Sequence, residues 1–223
     1  MKKKLYIPFV IVALQITNVL NAQTQIGGDI DGEAAGDESG ISVSMPDDYT
    51  IGIGAFKNDG TGTDAGHVRV YEWNGSSWVQ KGVDIDAEAP VDRFGWSVSM
   101  PDANTVGIGG TYNDANGGGS GHVRILEWNG SSWVQKGNDI DGEAAVDETG
   151  HSISMPDANT VAIGAILNDG NGTDAGHVRI FSWNGSAWVQ KGIDLDGEAA
   201  SDSFGYSVSM ADANTVANWC SVQ

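Results

Sequence analysis

Acidic side chains recur along this chain at a spacing that suits cation binding. Asp29, Asp31 and Glu33 follow an i, i+2, i+4 pattern, with Asp37 close behind, and in an extended segment this pattern places three carboxylates on one side. Clustered carboxylate oxygens are the ligands that Ca²⁺ prefers. The pattern occurs in four copies, so the candidate calcium ligands are Asp29, Asp31, Glu33, Asp37, Asp84, Asp86, Glu88, Asp92, Asp139, Asp141, Glu143, Asp147, Asp194, Asp196, Glu198 and Asp202. The alternative is a set of solvated connecting loops in which aspartate favours turns.

Histidine also recurs once per copy. His67, His122 and His177 each stand two residues before an arginine. Catalysis requires different groups that converge on one site, whereas identical copies distribute each residue type along the molecule. We therefore expect these histidines to be structural. His151 is interpreted as a substituted packing residue, because its position in the other copies holds Ile41, Trp96 and Tyr206.

Motifs of the common catalytic sites are absent from the sequence. It contains no G-x-S-x-G, no H-E-x-x-H and no phosphate-binding glycine loop. The sequence therefore predicts that the chain is not an enzyme, and calcium is the one cofactor with candidate ligands.

Paired tryptophans are the remaining candidates for ligand contact. They flank a short segment in each copy and lie at Trp73 and Trp78, Trp128 and Trp133, and Trp183 and Trp188. Two aromatics on either side of a tight hairpin usually pack across the strands, which is the expectation here. The alternative is a platform on which a sugar ring stacks.

All these residues belong to a unit of 55 residues that recurs in register. Trp73, Trp128 and Trp183, which are 55 residues apart, each open the sequence W-N-G-S-[SA]-W-V-Q-K-G. A fixed period of this length is typical of repeat architectures, in which each unit is one supersecondary block packed on its neighbours.

The third copy shows how one unit is built. Strands are predicted where apolar residues alternate between turn signals, at 151–155, 160–165, 177–183 and 188–191. Asn-Gly pairs such as Asn184-Gly185 predict a type I′ hairpin, and residues 192–202 are interpreted as the link to the next unit. Four strands per unit without helical periodicity predict an all-β fold of four-stranded antiparallel propeller blades. A parallel β-helix is the rival, but its turns are shorter and need no Asn-Gly hairpins.

The repeats are too few for a complete ring. About three and a half units lie within residues 23–217, whereas closed propellers have roughly four to eight blades. The sequence therefore predicts an incomplete ring with an exposed strand edge, which favours self-association.

Composition points to an exported, acidic protein. Residues 1–22 combine three lysines with an apolar run and Ala22, which is typical of a secretory signal peptide. Its removal takes away three of 11 basic side chains and none of 30 acidic ones, which leaves a net charge of −22. Such a surface repels nucleic acid, and no membrane span is expected after cleavage. Cys220 is the single cysteine, so no intrachain disulfide can form.

The last six residues, 218–223, depart from the repeat. The fourth copy follows the pattern through Ala217, after which I-G-A is expected but Asn218-Trp219-Cys220 stands. Removing one nucleotide from a coding sequence compatible with this tail restores A-I-G-A-P-Y-N. We therefore expect a frameshifted tail, the truncated product of a longer gene, and a strand that ends near Ala217. The alternative is a natural divergent terminus.

At these motifs the chain resembles the FG-GAP repeat family, which includes the β-propeller of the integrin α-subunit and secreted bacterial proteins. The FG element stands at Phe94-Gly95 and Phe204-Gly205, and the GAP element at Gly54-Ala55-Phe56 and Gly164-Ala165-Ile166. The resemblance covers about 27–217 and implies a propeller used in adhesion. The family's calcium loop between the first two strands is replaced by a short turn, as at Pro101-Asp102-Ala103-Asn104, with too few oxygens for a calcium site.

The functional expectation is a secreted, non-enzymatic module that binds a protein or carbohydrate ligand at the cell surface. One alternative is a structural repeat array stabilised by calcium at the acidic connectors. The other is the non-catalytic propeller of a larger secreted enzyme.

Overall fold

The computed structural model describes residues 25–220, which contain strands and turns but no helix, and therefore no helix able to span a membrane. The predicted signal peptide and residues 221–223 lie outside the described residues. The strands are β1 (Ser42–Asp47), β2 (Thr50–Ala55), β3 (His67–Trp73), β4 (Trp78–Gln80), β5 (Ile85–Asp86), β6 (Phe94–Asp102), β7 (Thr105–Gly110), β8 (His122–Trp128), β9 (Trp133–Gln135), β10 (Ile140–Asp141), β11 (Thr149–Asp157), β12 (Thr160–Ala165), β13 (His177–Trp183), β14 (Trp188–Gln190), β15 (Leu195–Asp196), β16 (Ser207–Asp212) and β17 (Thr215–Trp219).

These strands form three antiparallel sheets of one design and a partial fourth. Blade 1 contains β1–β5, blade 2 contains β6–β10, blade 3 contains β11–β15, and the partial blade 4 contains β16 and β17. In each complete blade the first three strands pair in order, and the outer edge of the third strand pairs with both the fourth and the fifth. The predicted all-β, propeller-like architecture is confirmed, and the array is open.

The fifth strand of each blade was not predicted. In blade 3, β15 pairs with the start of β13, with Leu195 opposite Val178 and Asp196 opposite His177. From the sequence, this segment is interpreted as part of the link between units. Two residues are too few for an alternating pattern, so this pairing depends on where the chain passes the edge of β13.

The Asn-Gly hairpins are present, but the predicted turn type is wrong. In blade 2 the loop spans 129–132, and the Asn129 amide donates to the Ser132 carbonyl over 3.0 Å. Gly130 has φ of +99°, but Asn129 is not among the non-glycine residues with positive φ. A type I′ turn needs positive φ at both residues. Instead, the Asn129 side-chain oxygen accepts bonds from the Ser131 and Ser132 amides over 2.9 and 3.0 Å.

Consecutive blades pack face to face and bury the apolar side chains between them. Met100 of β6 is 5% exposed and lies over Gly52 of β2, where an added Cβ would sit 2.8 Å from its sulfur. Met155 covers Gly107 of β7 in the same way. Val68, Val106 and similar strand residues complete the apolar core between blades 1 and 2.

The first glycine of the GAP element, which is Gly109 in the second copy, allows the backbones of two blades to touch. A Cβ on Gly109 of β7 would lie 2.2 Å from the Gly150 carbonyl oxygen of the next blade. Ser97 donates its hydroxyl to the same oxygen over 2.7 Å. Only glycine therefore fits at this contact, which recurs at Gly54 and Gly164.

The two ends of the array differ. On blade 1 the face that precedes the other blades, which we call the leading face, exposes Ile41, Val43 and Met45, the last of them 53% exposed. On blade 4, β17 continues through Trp219, which pairs with Ser207. The expected end of this strand near Ala217 is therefore wrong by two residues.

Candidate functional site

The repeated histidine begins the third strand of every complete blade. His67, His122 and His177 are each 1% exposed. Burial lowers the pKa of His67 and of His177, because a charged imidazole loses its hydration inside the protein. These two rings are therefore neutral at pH 7 and retain a lone pair that can be shared.

Each histidine meets two carboxylates from different acidic connectors, by which we mean residues 29–37, 84–92, 139–147 and 194–202. The first, second and third clusters are Glu33–His67–Asp84, Glu88–His122–Asp139 and Glu143–His177–Asp194, and in each the ligand atoms lie within 4.8 Å of one another. The histidine Nδ1 is 3.8, 3.5 and 4.0 Å from a carboxylate oxygen of Glu33, Asp139 and Glu143, respectively. Every complete blade thus joins the connector that enters it to the connector that leaves it.

The structure groups these carboxylates differently from the i, i+2, i+4 spacing. Asp84 lies with Glu33 of the preceding connector, whereas Glu88 of the same connector lies with Asp139 of the following one. Sequence reasoning missed the histidines as partners, although they share the period of the acids. Among the described residues, Asp29 and Glu198 belong to no such cluster, and the Asp29 carboxylate accepts a bond from Gln25 over 2.8 Å. Calcium binding by the connectors stays a prediction.

The middle aspartate of each connector lies beside the clusters. Asp86 belongs to β5, opposite His67 in the sheet, and its counterparts are Asp31, Asp141 and Asp196. Burial and the neighbouring Asp84 carboxylate raise the pKa of Asp86. Burial and the neighbouring Asp139 carboxylate likewise raise the pKa of Asp141. The raised pKa values follow from burial and from carboxylates that lie close together at these points.

The last aspartate of each connector makes a loop hydrogen bond. Asp147 accepts bonds from the Ala144 amide and from the Asn168 side chain, both over 3.0 Å. Burial raises the pKa of its counterpart Asp92. The amide three residues earlier also donates to Asp37, Asp92 and Asp202, so one oxygen of each of these carboxylates shapes the connector.

The arginine beside the second cluster donates to a carboxylate, whereas the arginines beside the other two clusters donate to main-chain carbonyls. Arg124 donates from Nε and a terminal nitrogen to the two oxygens of Asp139, each over 3.0 Å. Arg69 and Arg179 instead donate to the main-chain carbonyls of Asp31 and Asp141 over 2.8 Å. Burial alone would raise the pKa of Asp139, but His122 and Arg124 outweigh it and hold that pKa well below its usual range. The second cluster therefore already contains a bound cation, the guanidinium.

A cleft of about 600 Å³ lies beside the second cluster. Its acidic lining includes Glu88, Asp92, Asp114, Asp139 and Asp141. Such a cleft attracts cations and repels anions.

Two smaller grooves occupy equivalent places in blades 1 and 3. The first, of about 280 Å³, is lined by residues 28–31 together with Tyr71, Ser77 and Trp78. The second, of about 320 Å³, is lined by 138–141, Arg179, Phe181 and residues 186–188. We call them the tryptophan grooves, because each combines an indole with two aspartates.

The paired tryptophans pack across the hairpin, as predicted. Ring centroids of Trp128 and Trp133 are 5.5 Å apart, and Lys81 of the preceding blade places its ammonium 5.5 and 5.7 Å from the two rings. The Trp133 indole donates to the Lys81 carbonyl over 2.9 Å. These residues therefore help to attach one blade to the next.

His151 is also a packing residue. Its ring lies between Trp96 and Tyr206, with centroids 5.5 and 5.0 Å away. Burial lowers the pKa of His151 to about 4, so it is uncharged at neutral pH.

No protein-family model matches this chain, and no curated protein matches it significantly. The structure shows an array of propeller-like, four-stranded antiparallel repeats. Membership of the FG-GAP family stays a prediction.

Proposed function

We propose that the chain is a secreted, non-enzymatic binding module of the FG-GAP type, and that its tryptophan grooves hold the ligand. The observation that carries this proposal is the repetition of one groove in blades 1 and 3. Trp78 and Trp188 are half-buried there beside the aspartates of the connectors. A repeated groove suits a ligand that itself has repeated units.

Groove chemistry favours a carbohydrate over a protein. The Trp78 and Trp188 indole nitrogens donate to the carbonyls of Ile26 and Lys136 over 3.1 and 2.8 Å, which holds each ring in place. A fixed apolar ring face beside carboxylate acceptors matches a sugar, which has an apolar face and hydroxyl donors. The signal peptide predicted at 1–22 supports a location outside the cell, where such polymers occur.

The experiment is glycan-array binding with residues 23–223. We expect Trp188→Ala and Trp78→Ala each to weaken binding to the glycans selected by the wild type, and the double variant to abolish it. Tyr49→Ala is the control, because Tyr49 is 61% exposed and lines neither tryptophan groove. Unchanged glycan binding by the double variant would refute the groove assignment.

The acidic cleft supports a second candidate, a repeat array stabilised by calcium. Glu88, Asp139 and Asp141 line it together with two further aspartates, and carboxylate oxygens are hard ligands for Ca²⁺. Calorimetry with Ca²⁺ and with chelator tests this function. A large rise in melting temperature with calcium favours the array, whereas identical melting curves exclude it.

A further inference from the structure

Buried imidazole nitrogens of blades 2 and 3 lack hydrogen-bond partners. His122 and His177 are 1% exposed, and within the described part of the chain neither Nδ1 nor Nε2 of either ring has a partner. Burying a polar atom without a partner is costly. In both rings Nδ1 faces carboxylates, with Asp139 at 3.5 Å and Glu143 at 4.0 Å, which is close but too far for good hydrogen bonds.

One cation placed between Nδ1 and the carboxylates would give a partner to Nδ1 and to the facing carboxylate oxygens. Tetrahedral coordination with bonds of about 2.1 Å places ligand atoms about 3.4 Å apart. The Nδ1-to-carboxylate distances of 3.5–4.0 Å in the second and third clusters are slightly wider than this. Nε2 then carries the ring proton, since the neutral imidazole has one lone pair to share.

A glutamine holds the aspartate of each cluster. Gln80, Gln135 and Gln190 donate from Nε2 to Oδ1 of Asp84, Asp139 and Asp194 over 2.6, 2.7 and 2.5 Å. Metal-binding carboxylates are commonly oriented by such outer hydrogen bonds. In Asp84 and Asp194 this bond fixes one oxygen and leaves Oδ2 available to a ligand, whereas Oδ2 of Asp139 is bound by Arg124.

We propose that the Glu–His–Asp clusters are binding sites for a borderline divalent cation, for which Zn²⁺ is the probe, and that the first and third clusters are the ones that load. Imidazole nitrogen with two carboxylates suits Zn²⁺ and similar ions, whereas Ca²⁺ takes oxygen ligands. Each cluster supplies three protein ligands, and water completes the coordination. This proposal does not rest on the tryptophan grooves, and it assigns four of the carboxylates predicted to bind calcium to a different ion.

The position of the neighbouring arginine determines which clusters can bind a cation. In the second cluster Arg124 contacts both oxygens of Asp139, so an incoming cation must displace a guanidinium. In the third cluster the Arg179 guanidinium donates to the Asp141 carbonyl and its Nη1 stays 3.5 Å from Glu143, while Asp194 makes no ion pair among the described residues. In the first cluster Arg69 likewise donates to the Asp31 carbonyl and its Nη1 lies 3.8 Å from Glu33, which also accepts a bond from the Asn58 side chain over 3.3 Å.

A bound cation would tie the connector that enters a blade to the connector that leaves it. In blade 3 the metal would bridge Glu143 and Asp194, which are 51 residues apart, through His177 at the start of β13. The expected consequence is a more stable blade, since a ligand that binds the folded chain raises its stability.

The test is metal titration of residues 23–223, freed of metal with a chelator and then dialysed. We expect two equivalents of Zn²⁺ by calorimetry, and Co²⁺ in its place should give a visible ligand-field spectrum with nitrogen coordination. His177→Gln and Asp194→Asn should each leave one equivalent. Gln190→Ala should weaken one site by about 10–100-fold, and Arg124→Gln should add a third equivalent.

His151→Gln is the matched control, because it removes a partly buried histidine that belongs to none of the three clusters; it should keep two equivalents. Zinc binding that is unchanged in His177→Gln and Asp194→Asn would overturn the proposal, as would no binding at micromolar metal. Full displacement of Zn²⁺ by equimolar Ca²⁺ would also overturn it, because a carboxylate-only site would then be the binder.

Discussion

At the residue scale, equivalent side chains of the three blades differ in their electrostatic partners. Arg124 donates two hydrogen bonds to the Asp139 carboxylate. Its counterpart Arg179 donates to the main-chain carbonyl of Asp141 and not to Asp194. The Asp139 side chain is 18% exposed, so its charge is weakly screened and its pairing affects stability. Identical sequence motifs therefore have different energetic roles in different copies.

Asp139→Asn is expected to make the protein less stable by roughly 1–3 kcal/mol at pH 7, because it removes the carboxylate that takes two hydrogen bonds from the buried Arg124 and leaves only the exposed Glu88 to pair with it. The pKa of Asp139 is depressed in the folded chain. Such a group stabilises the fold above its unfolded pKa of about 3.9, and this stabilisation is lost as the pH falls below that value. Urea unfolding with chelator present, from neutral to acidic pH, should show the difference from wild type shrinking below about pH 4.

Asp194→Asn is the control for this prediction and should change stability less, since Arg179 makes its hydrogen bond elsewhere. A difference for Asp139→Asn that is the same at neutral and acidic pH would show that the charge of Asp139 does not matter.

His151 gives the molecule a second dependence on pH. Its pKa is about 4 in the folded chain, against about 6.5 when unfolded. The unfolded state therefore binds the proton more readily, so stability is complete above about pH 6.5 and is lost as the pH falls towards 4. We expect His151→Tyr to lose about 2 kcal/mol less than wild type between pH 7 and pH 5.

Melting curves across this pH range measure the effect of His151. Tyr206→Phe alters the same aromatic stack without removing the titrating group, so it should keep the slope of the wild type. Equal slopes for His151→Tyr and wild type would contradict the prediction.

At the scale of the strands, the next blade limits the size of the side chains that fit on the second strand of a blade. The space for a Cβ at Gly109 is filled by the Gly150 carbonyl oxygen at 2.2 Å, which is main chain and cannot move aside. At Gly107 it meets the Met155 sulfur at 2.7 Å, which belongs to a flexible side chain. Ala162 holds that position in blade 3 and packs in the same apolar cluster as Met210.

Gly109→Ala should therefore lower the free energy of unfolding by about 1–3 kcal/mol or more, since overpacking forces backbone shifts. Gly107→Ala is the matched control and should have little effect, because the methionine can give way. Denaturant unfolding of the two variants compares them directly. Equal stabilities would mean that the carbonyl contact between blades is not tight in solution.

At the scale of the whole molecule, the array ends in two unlike faces. Met45 is 53% exposed on the leading face, whereas Met100 at the same position of blade 2 is 5% exposed. On blade 4, Trp219 stands where Gly54, Gly109 and Gly164 admit the carbonyl of a following blade, and it is 68% exposed. Another leading face cannot stack there in the way that blades stack within the chain.

Any self-association should therefore join two leading faces in a closed dimer, rather than form a head-to-tail filament. We expect Met45→Lys to abolish the dimer in analytical ultracentrifugation with little change in melting temperature. Met100→Lys, in contrast, should destabilise the fold, because it buries a charge. A Met45→Lys variant that associates as wild type does would contradict this assignment.

Trp219→Gly removes the block on blade 4 and should allow species larger than a dimer. If the wild-type chain itself forms open-ended polymers, then Trp219 does not prevent head-to-tail stacking.

Local patterns in the sequence establish the period, the class of fold and the order of the main strands. Alternation and turn signals are local, so strands such as Thr160–Ala165 and His177–Trp183 could be predicted with bounds that the structure keeps. A glycine also recurs at 54, 109 and 164 in the second strand of each unit, and a glycine inside a strand indicates that another backbone approaches closely.

The clusters, the fifth strand and the form of the hairpin depend on contacts that form only in the folded chain. Glu143 and Asp194 meet because β13 places His177 between two connectors that are distant in sequence, and a periodic pattern does not say which copies of a residue lie together. The hydrogen bonds that the Asn129 side chain accepts outweigh the preference of the Asn129-Gly130 pair for a type I′ turn. Local periodicity determines strands, whereas contacts between connectors depend on the path of the chain between blades, which no local pattern encodes.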